Sequence, residues 1–332
     1  MELCLKNPSG MSTKFPQFDT VTDASDHYYN YYKPTNANKT TTNTPFYKQI
    51  MKDWRILEKN LPPTIYVRIY EDKIDLLRAV IVGASGTPYH DGLFFFDFFF
   101  PAEYPNKPPL VHYNSYGLCI NPNLYSTGYI CLSILNTWAG PSWQPNASTV
   151  LQVLVSIQGL VLNEKPFYNE PTFQNGGFDK MSRRYNNHVF ALSCKTMICV
   201  LRKPPRNFEG LVVEHFRDRG RSVLTACKAY MNGYVRVGEY QDGGVSLPDQ
   251  KIKVSAMFRF FMNSHYFNLF KALVKNDPSL KDFCVQLDQL AEKIEKEYKE
   301  KAKISEKKSV SWFSRIVKKF IGLNKCVKGD GD

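Results

Sequence analysis

The stretch from Asn121 to Trp138 reads NPNLYSTGYICLSILNTW, and its cysteine, Cys131, follows Asn123 of an Asn-Pro-Asn turn by eight residues, inside an apolar run. A cysteine side chain both attacks an acyl group and leaves readily at neutral pH, so acyl transfer is the chemistry this position could perform. The flanking asparagines are natural turn residues whose amides bond backbone and can fix such a loop. The other seven cysteines (4, 119, 194, 199, 227, 284 and 326) form no CxxC pair and no spacing with paired histidines. That pattern argues against a zinc site or a disulfide framework and fits reduced intracellular thiols.

The elements around this stretch give an α+β chain. In PFYKQIMKDWRILEKN (45–60) the residues Phe46, Ile50, Trp54 and Leu57 recur at helical spacing, with Pro45 and the following LPP as boundaries. Three strands follow, Thr64 to Tyr70, Leu76 to Val82 and Leu93 to Phe100, at the short spacing of an antiparallel meander. PAEYPNKPPLVHY then interrupts with four prolines and leads to a fourth strand, Leu110 to Tyr113. The run NASTVLQVLVSIQGLVL predicts a buried helix of four turns, and a long helix is expected from Phe178 to Leu201. Residues 206–332 read as a mainly helical extension, with a Gly-rich break near 243–249 and a charged, solvated stretch LAEKIEKEYKEKAKISEKK. Residues 1–44, loaded with Ser, Thr and Asn, read as mostly disordered, because they bury too little to offset their ordering entropy. Their YYNYYK run suits a docking or phosphorylation element, or is an accident of composition.

Composition narrows the classes further. With 332 residues, 43% hydrophobic and 14% aromatic, the chain can build a substantial core. No stretch of about 18 apolar residues predicts a spanning helix, and MELCLKNPSGMSTK lacks a secretory core, so a soluble cytoplasmic or nuclear protein is expected. A net charge of +12 suits acidic partners, yet no nucleic-acid-binding signature accompanies it, and solubility plus a basic tail is the simpler reading. In that tail, SVSWFSRIVKKFIGLNK, the residues Phe313, Ile316, Val317, Phe320 and Ile321 share one helical face and Arg315, Lys318 and Lys319 lie among the polar positions, with Trp312 at the edge. Such a helix suits peripheral contact with an anionic membrane, or docking on the protein's own extension.

Two segments carry a family resemblance: GTPYHDGLFFFDFFFPAEYPNKPPLVHY (86–113) and INPNLYSTGYICLSILNTWAGPSWQP (120–145). They closely resemble the ubiquitin-conjugating enzymes, in particular the large plant group related to the enzyme of phosphate homeostasis, and the animal hybrid conjugating enzyme/ligases. FDTVTDASDHYY and LRKPPRNFEGLVVEHF look like that group's flanks. The resemblance implies the UBC fold, a four-stranded antiparallel meander flanked by helices, over 45–205. It also implies that Cys131 carries ubiquitin as a thioester, received from the activating enzyme and passed to substrate lysines. No cofactor is implied, since ATP is used by the upstream activating enzyme.

By the same resemblance Asn123 is the partner of the oxygen that gains charge during transfer, although its amide could equally tie down the loop. Asn121 stands where the common motif has His, with the expected duty of holding the turn. Asn169 and Glu170 occupy the place of the gate for the incoming lysine, where a carboxylate orients or deprotonates the amine; Glu170 could instead cap the next helix. Lys48, Lys52 and Arg55 on the first helix match the basic surface offered to the activating enzyme, or form a solvated face. Ring-type ligases use an aromatic anchor where this chain has Asn106, and a Ser-Pro-Ala where it has Gln144-Pro145-Asn146. Without that anchor, dependence on such a ligase is in doubt and ligase-like autonomy is the alternative. The insertion in NTWAGPSW should reshape one wall of the site. A catalytically silent scaffold of the same fold and a ubiquitin-like modifier remain competing readings.

Overall fold

In the computed structural model, the described residues are 14–32, 44–145, 147–173, 176–241, 248 and 250–323, the side chains of 302 and 304–323 excepted. Helix α1 (Pro45–Asn60) starts at the expected proline, with the Thr44 hydroxyl accepting the Tyr47 N–H. Strands β2 (Ile65–Tyr70), β3 (Leu76–Val82), β4 (Leu93–Phe99) and β5 (Leu110–Tyr113) form the expected antiparallel meander. Helix α2 (Val150–Ser156) opens with a Thr149/Gln152 capping box. It is shorter than the four turns expected, because the backbone widens into a π-helical turn at Ile157–Val161. Helices α3 (Asp179–Arg202), α4 (Glu209–Asn232) and α5 (Ala256–Asn276) follow and pack on one another.

The sheet has five strands, not four. Strand β1 (Phe18–Val21) pairs in parallel with the edge of β2, Phe18 opposite Val67. The expectation that 1–44 is disordered is therefore corrected for its described part, 14–32; residues 1–13 and 33–43 lie outside the described residues. The reason lies in β4. All seven residues of LFFFDFF are buried, so both sheet faces need a cover. Ile65, Val67, Leu77, Ile81, Phe94, Phe96 and Phe98 join the core shared with Ile50 and Leu57 of α1 and Val153 and Leu154 of α2. On the other face Ala24 and Tyr29 of the N-terminal segment cluster with Tyr70, Leu76 and Phe99. Phe15 lies against the buried Arg68 guanidinium, 4.3 Å from ring centroid to carbon.

Ion pairs fix the same cover. Arg78 and Asp97 face each other across β3 and β4 and form a forked pair, with the Arg78 Nε 2.6 Å and Nη2 2.8 Å from the two Asp97 carboxylate oxygens. Arg78 Nη1 donates to Asp26 at 2.6 Å, while Asp97 also accepts the Tyr28 N–H at 2.8 Å. The Tyr28 ring stacks on His112 of β5 at 3.4 Å.

Past the boundary expected at 205/206, the chain continues in the same compact unit through Leu280. Helix α4 is tied to the 83–92 loop by Asp91, whose carbonyl accepts from His215 at 2.8 Å and whose carboxylate accepts from Arg219 at 2.7 Å and His90 at 2.8 Å. The far nitrogen of His90 meets the Tyr230 hydroxyl of α4 at 2.9 Å. Residues from Lys281 on form a second unit, whose described part continues helix α6 (Leu280–Leu323). The backbone of the amphipathic tail is helical to Leu323, and its side chains lie outside the described residues, as do residues 242–247 and 249 of the expected Gly-rich linker. No helix of the described residues is long and apolar enough to cross a membrane.

Burial pushes the Asp91 carboxyl up, but the His90 hydrogen bond and the charges of His90 and Arg219 outweigh it and hold it at about 2. Because the folded value lies below the unfolded one, near 3.9, this stabilisation is complete above about pH 4 and is lost as the pH falls through about 2. Asp91→Asn, which tolerates the left-handed backbone there (φ 63°), is expected to lose about 2 kcal/mol at pH 7 and less at pH 3. Urea unfolding at the two pH values checks this, and an equal loss at both would refute the charge as its source.

Candidate active site

Cys131 sits in a small hairpin. Its N–H donates to the Asn123 carbonyl at 2.9 Å, the Asn123 amide donates back to the Cys131 carbonyl at 2.9 Å, and Leu124 bridges to Ile130 between them. Leu124 and Ile130 are buried in the core, which fixes the register, since a slip of one residue would turn both away from it. Gly128, at φ 88°, lets the hairpin close onto β5, where any Cβ would collide with the His112 ring. Thr137 locks the exit, its hydroxyl accepting the Leu132 N–H at 2.9 Å and lying 2.7 Å from the Ile130 carbonyl.

Asn121 is fully buried and fully bonded. Its amide nitrogen donates to the Tyr89 hydroxyl at 2.8 Å and to the Val161 carbonyl at 2.7 Å, and its carbonyl oxygen accepts the Asn123 N–H at 2.8 Å and the Asn169 amide at 3.3 Å. Two donors and two acceptors on one side chain meet this demand; an imidazole has only two ring nitrogens to offer. Asn169 gives its amide to the same network and accepts from Asn163 at 2.6 Å. Glu170 is exposed, and its carbonyl closes the turn that begins at Pro171 by accepting the Phe173 N–H at 3.0 Å. Its charge is felt at the Tyr125 phenol. The thiol of Cys119, an exposed residue, lies 3.7 Å from the Asn121 carbonyl.

The remaining expected positions lie elsewhere on the domain. Lys48, Lys52 and Arg55 form an exposed stripe on α1. Asn106 and Gln144 are exposed and Pro145 is half-buried, while Asn146 lies outside the described residues. Trp143, closing the NTWAGPSW insertion, joins the two loops by donating its indole N–H to the Pro105 carbonyl at 2.6 Å. The buried Asp53 braces them from α1, accepting the Tyr104 hydroxyl at 2.6 Å, and burial raises its carboxyl above the usual range.

A family model described as ubiquitin-conjugating enzyme matches residues 49–191. "Putative ubiquitin-conjugating enzyme E2 38" of Arabidopsis thaliana is 50% identical over 238 residues, covering 70% of this chain and 72% of the relative. The chain belongs to the ubiquitin-conjugating enzyme family. "Probable ubiquitin-conjugating enzyme E2 25" of the same plant is 52% identical over 235 residues, 68% of this chain and 37% of the relative. The human "Dual E2 ubiquitin-conjugating enzyme/E3 ubiquitin-protein ligase BIRC6" is 31% identical over 242 residues, 66% of this chain and 5% of that protein. The chain spans 37%, 30% and 21% of the lengths of three of the plant relatives.

Within this conjugating-enzyme domain, sequence reasoning missed Tyr89 and Thr137. Tyr89 and Thr137 act through contacts that no local spacing announces. Asn123→Ala is expected to leave thioester formation intact while slowing single-turnover discharge to free lysine about 10²- to 10³-fold. An unchanged discharge rate would limit its amide to holding the Cys131 carbonyl.

Proposed function

We propose that this chain accepts ubiquitin as a thioester on Cys131 from the activating enzyme and transfers it to substrate lysines. The observation that carries the reading is the reciprocal pair of hydrogen bonds that holds Asn123 opposite Cys131, above a buried and fully satisfied Asn121. Charge formed on the thioester oxygen would meet an amide already at the site, and a held amide costs no reorganisation when the reaction occurs. Glu170, exposed and electrostatically close, suits an incoming ammonium. The chain needs no cofactor of its own, with ATP spent by the activating enzyme, whose acidic surface the Lys48/Lys52/Arg55 stripe would face. An exposed polar Asn106 in place of an aromatic anchor favours substrate selection by the chain's own flanks, as the hybrid name of the human relative suggests. We place the reaction in the cytoplasm or nucleus, and the composition of the basic tail suits either an anionic membrane or the chain's own helical extension.

The test is charging. Incubated with activating enzyme, ATP and ubiquitin, the protein is expected to form an adduct that reductant removes. A folded protein that forms none, with ubiquitin or any related modifier, would overturn the reading in favour of a silent scaffold.

A further inference from the structure

Helix α5 carries two apolar faces. Phe258, Met262, Leu269 and Leu273 recur at helical spacing and are buried where α5 packs on α3 and α4. On the far side of the helix lies a second row, Met257, Phe260, Phe261 and Phe267, which are 65%, 71%, 46% and 55% exposed. The rings of Phe260 and Phe261 meet edge-on at 5.9 Å. Single exposed apolar residues are ordinary on a surface, whereas three aromatics and a methionine along one helix face make a patch of the kind that marks an interaction site. Charge selects what fits it. From 251 to 276 the chain carries Lys251, Lys253, Arg259, Lys271 and Lys275 and no Asp or Glu. Lys271 and Lys275, both exposed, continue the aromatic row one and two turns beyond Phe267, and the Lys271 ammonium lies 4.1 Å over the Phe267 ring.

We propose that the outer face of α5 is a peripheral membrane site for anionic lipid, with Phe260 and Phe267 entering the acyl boundary and Lys271 and Lys275 reaching the headgroup phosphates. Three observations favour this occupant. A second copy of the chain would bring the same cations, with no acid on α5 to meet them. Lysine is depleted where proteins bind one another, while phenylalanine and methionine beside long-stemmed lysines suit a headgroup layer, because the stem lies along apolar surface and the ammonium reaches out to the phosphates. No helix of the described residues is long and apolar enough to cross a membrane, so α5 would lie along the surface, held by buried apolar area together with attraction to negative lipid. The inference does not depend on Cys131 as the carrier of ubiquitin.

The test is co-sedimentation of the 332-residue chain with vesicles of phosphatidylcholine, with and without phosphatidylserine. Binding is expected to need phosphatidylserine and to weaken at high salt. Phe260→Ser with Phe267→Ser should lower the partition coefficient roughly tenfold or more, and Lys271→Gln with Lys275→Gln roughly tenfold. All four positions are exposed, so both variants should keep the wild-type melting temperature. The basic tail offers a second route to the same vesicles, and a probe on α5 separates the two. In a Trp312→Phe background, Phe260→Trp should add emission that shifts to the blue on phosphatidylserine vesicles and is quenched by brominated acyl chains. Wild-type partitioning in both double variants, or binding without quenching at position 260, would assign the membrane to the tail and overturn the proposal. So would a wild-type chain that binds neither vesicle, or a wild-type dimer that the double Phe variant turns into a monomer, which would give this face to a second copy.

Discussion

If Cys131 is the carrier proposed above, Cys131→Ala is expected to accept no ubiquitin, and Cys131→Ser to accumulate it as an adduct that survives reductant. Both outcomes follow from the chemistry of one atom. The alanine leaves nothing to acylate. The Asn123 and Thr137 bonds hold the main chain at 130–132 and do not involve the thiol, so a serine oxygen in the same hairpin still reaches the carbonyl delivered by the activating enzyme. A hydroxyl ionises less readily than a thiol, and its alkoxide is a far poorer leaving group, so the oxyester forms slowly and then resists lysine. Non-reducing and reducing gels of the three proteins, with activating enzyme and ATP, read the result directly. Cys119 is the control within the same loop, since its residue is exposed where Cys131 is only 5% accessible. Charging should survive Cys119→Ser. Loss of the adduct in Cys119→Ser, with Cys131→Ser still forming a reductant-sensitive one, would move the carrier to the other thiol.

The parts of the fold that were legible are those specified by neighbours in sequence. Helix α1 ran from Pro45 to Asn60 as its punctuation required, and the meander strands fell within a residue of their expected ends. The core of the site was legible for the same reason: turn, apolar alternation and thiol occupy eleven consecutive residues, 121–131. What escaped was specified from a distance. The apolar run after Thr149 reads as continuous helix, yet its π turn ends the element at Val161 and leaves that carbonyl to accept both the Asn121 and the Asn169 amides. A helix continued through this point would spend the carbonyl internally and leave Asn121 unsatisfied. Composition likewise averaged Phe15, Ala24 and Tyr29 together with the polar tract that follows them. Their partners, on β2, β3 and β4, lie tens of residues away.

Those partners set the largest stability effect. Asp97→Ala is expected to cost about 3–5 kcal/mol, because it removes one half of a buried forked pair and leaves the Arg78 guanidinium, 1% exposed, without its main counter-charge. Asp26, with a side chain 30% exposed, remains as a partner, but it must neutralise the cation from the rim of the sheet. In a unit of this size the loss should lower the melting temperature by roughly 10 °C. The effect also has a local signature. Asp97 accepts the Tyr28 N–H, and Tyr28 stacks on the His112 ring that lies against Gly128. Releasing it should expose residues 23–30 to limited proteolysis before the rest of the domain unfolds. The double replacement Arg78→Met with Asp97→Leu discriminates the cause. An apolar pair leaves no uncompensated charge, so it should recover most of the stability, while the protease-sensitive segment stays loosened because its backbone acceptor is gone. A single Asp97→Ala loss below about 1 kcal/mol would show that water or Asp26 already satisfies Arg78, and that the second face of the sheet is held by Phe15, Ala24 and Tyr29 alone.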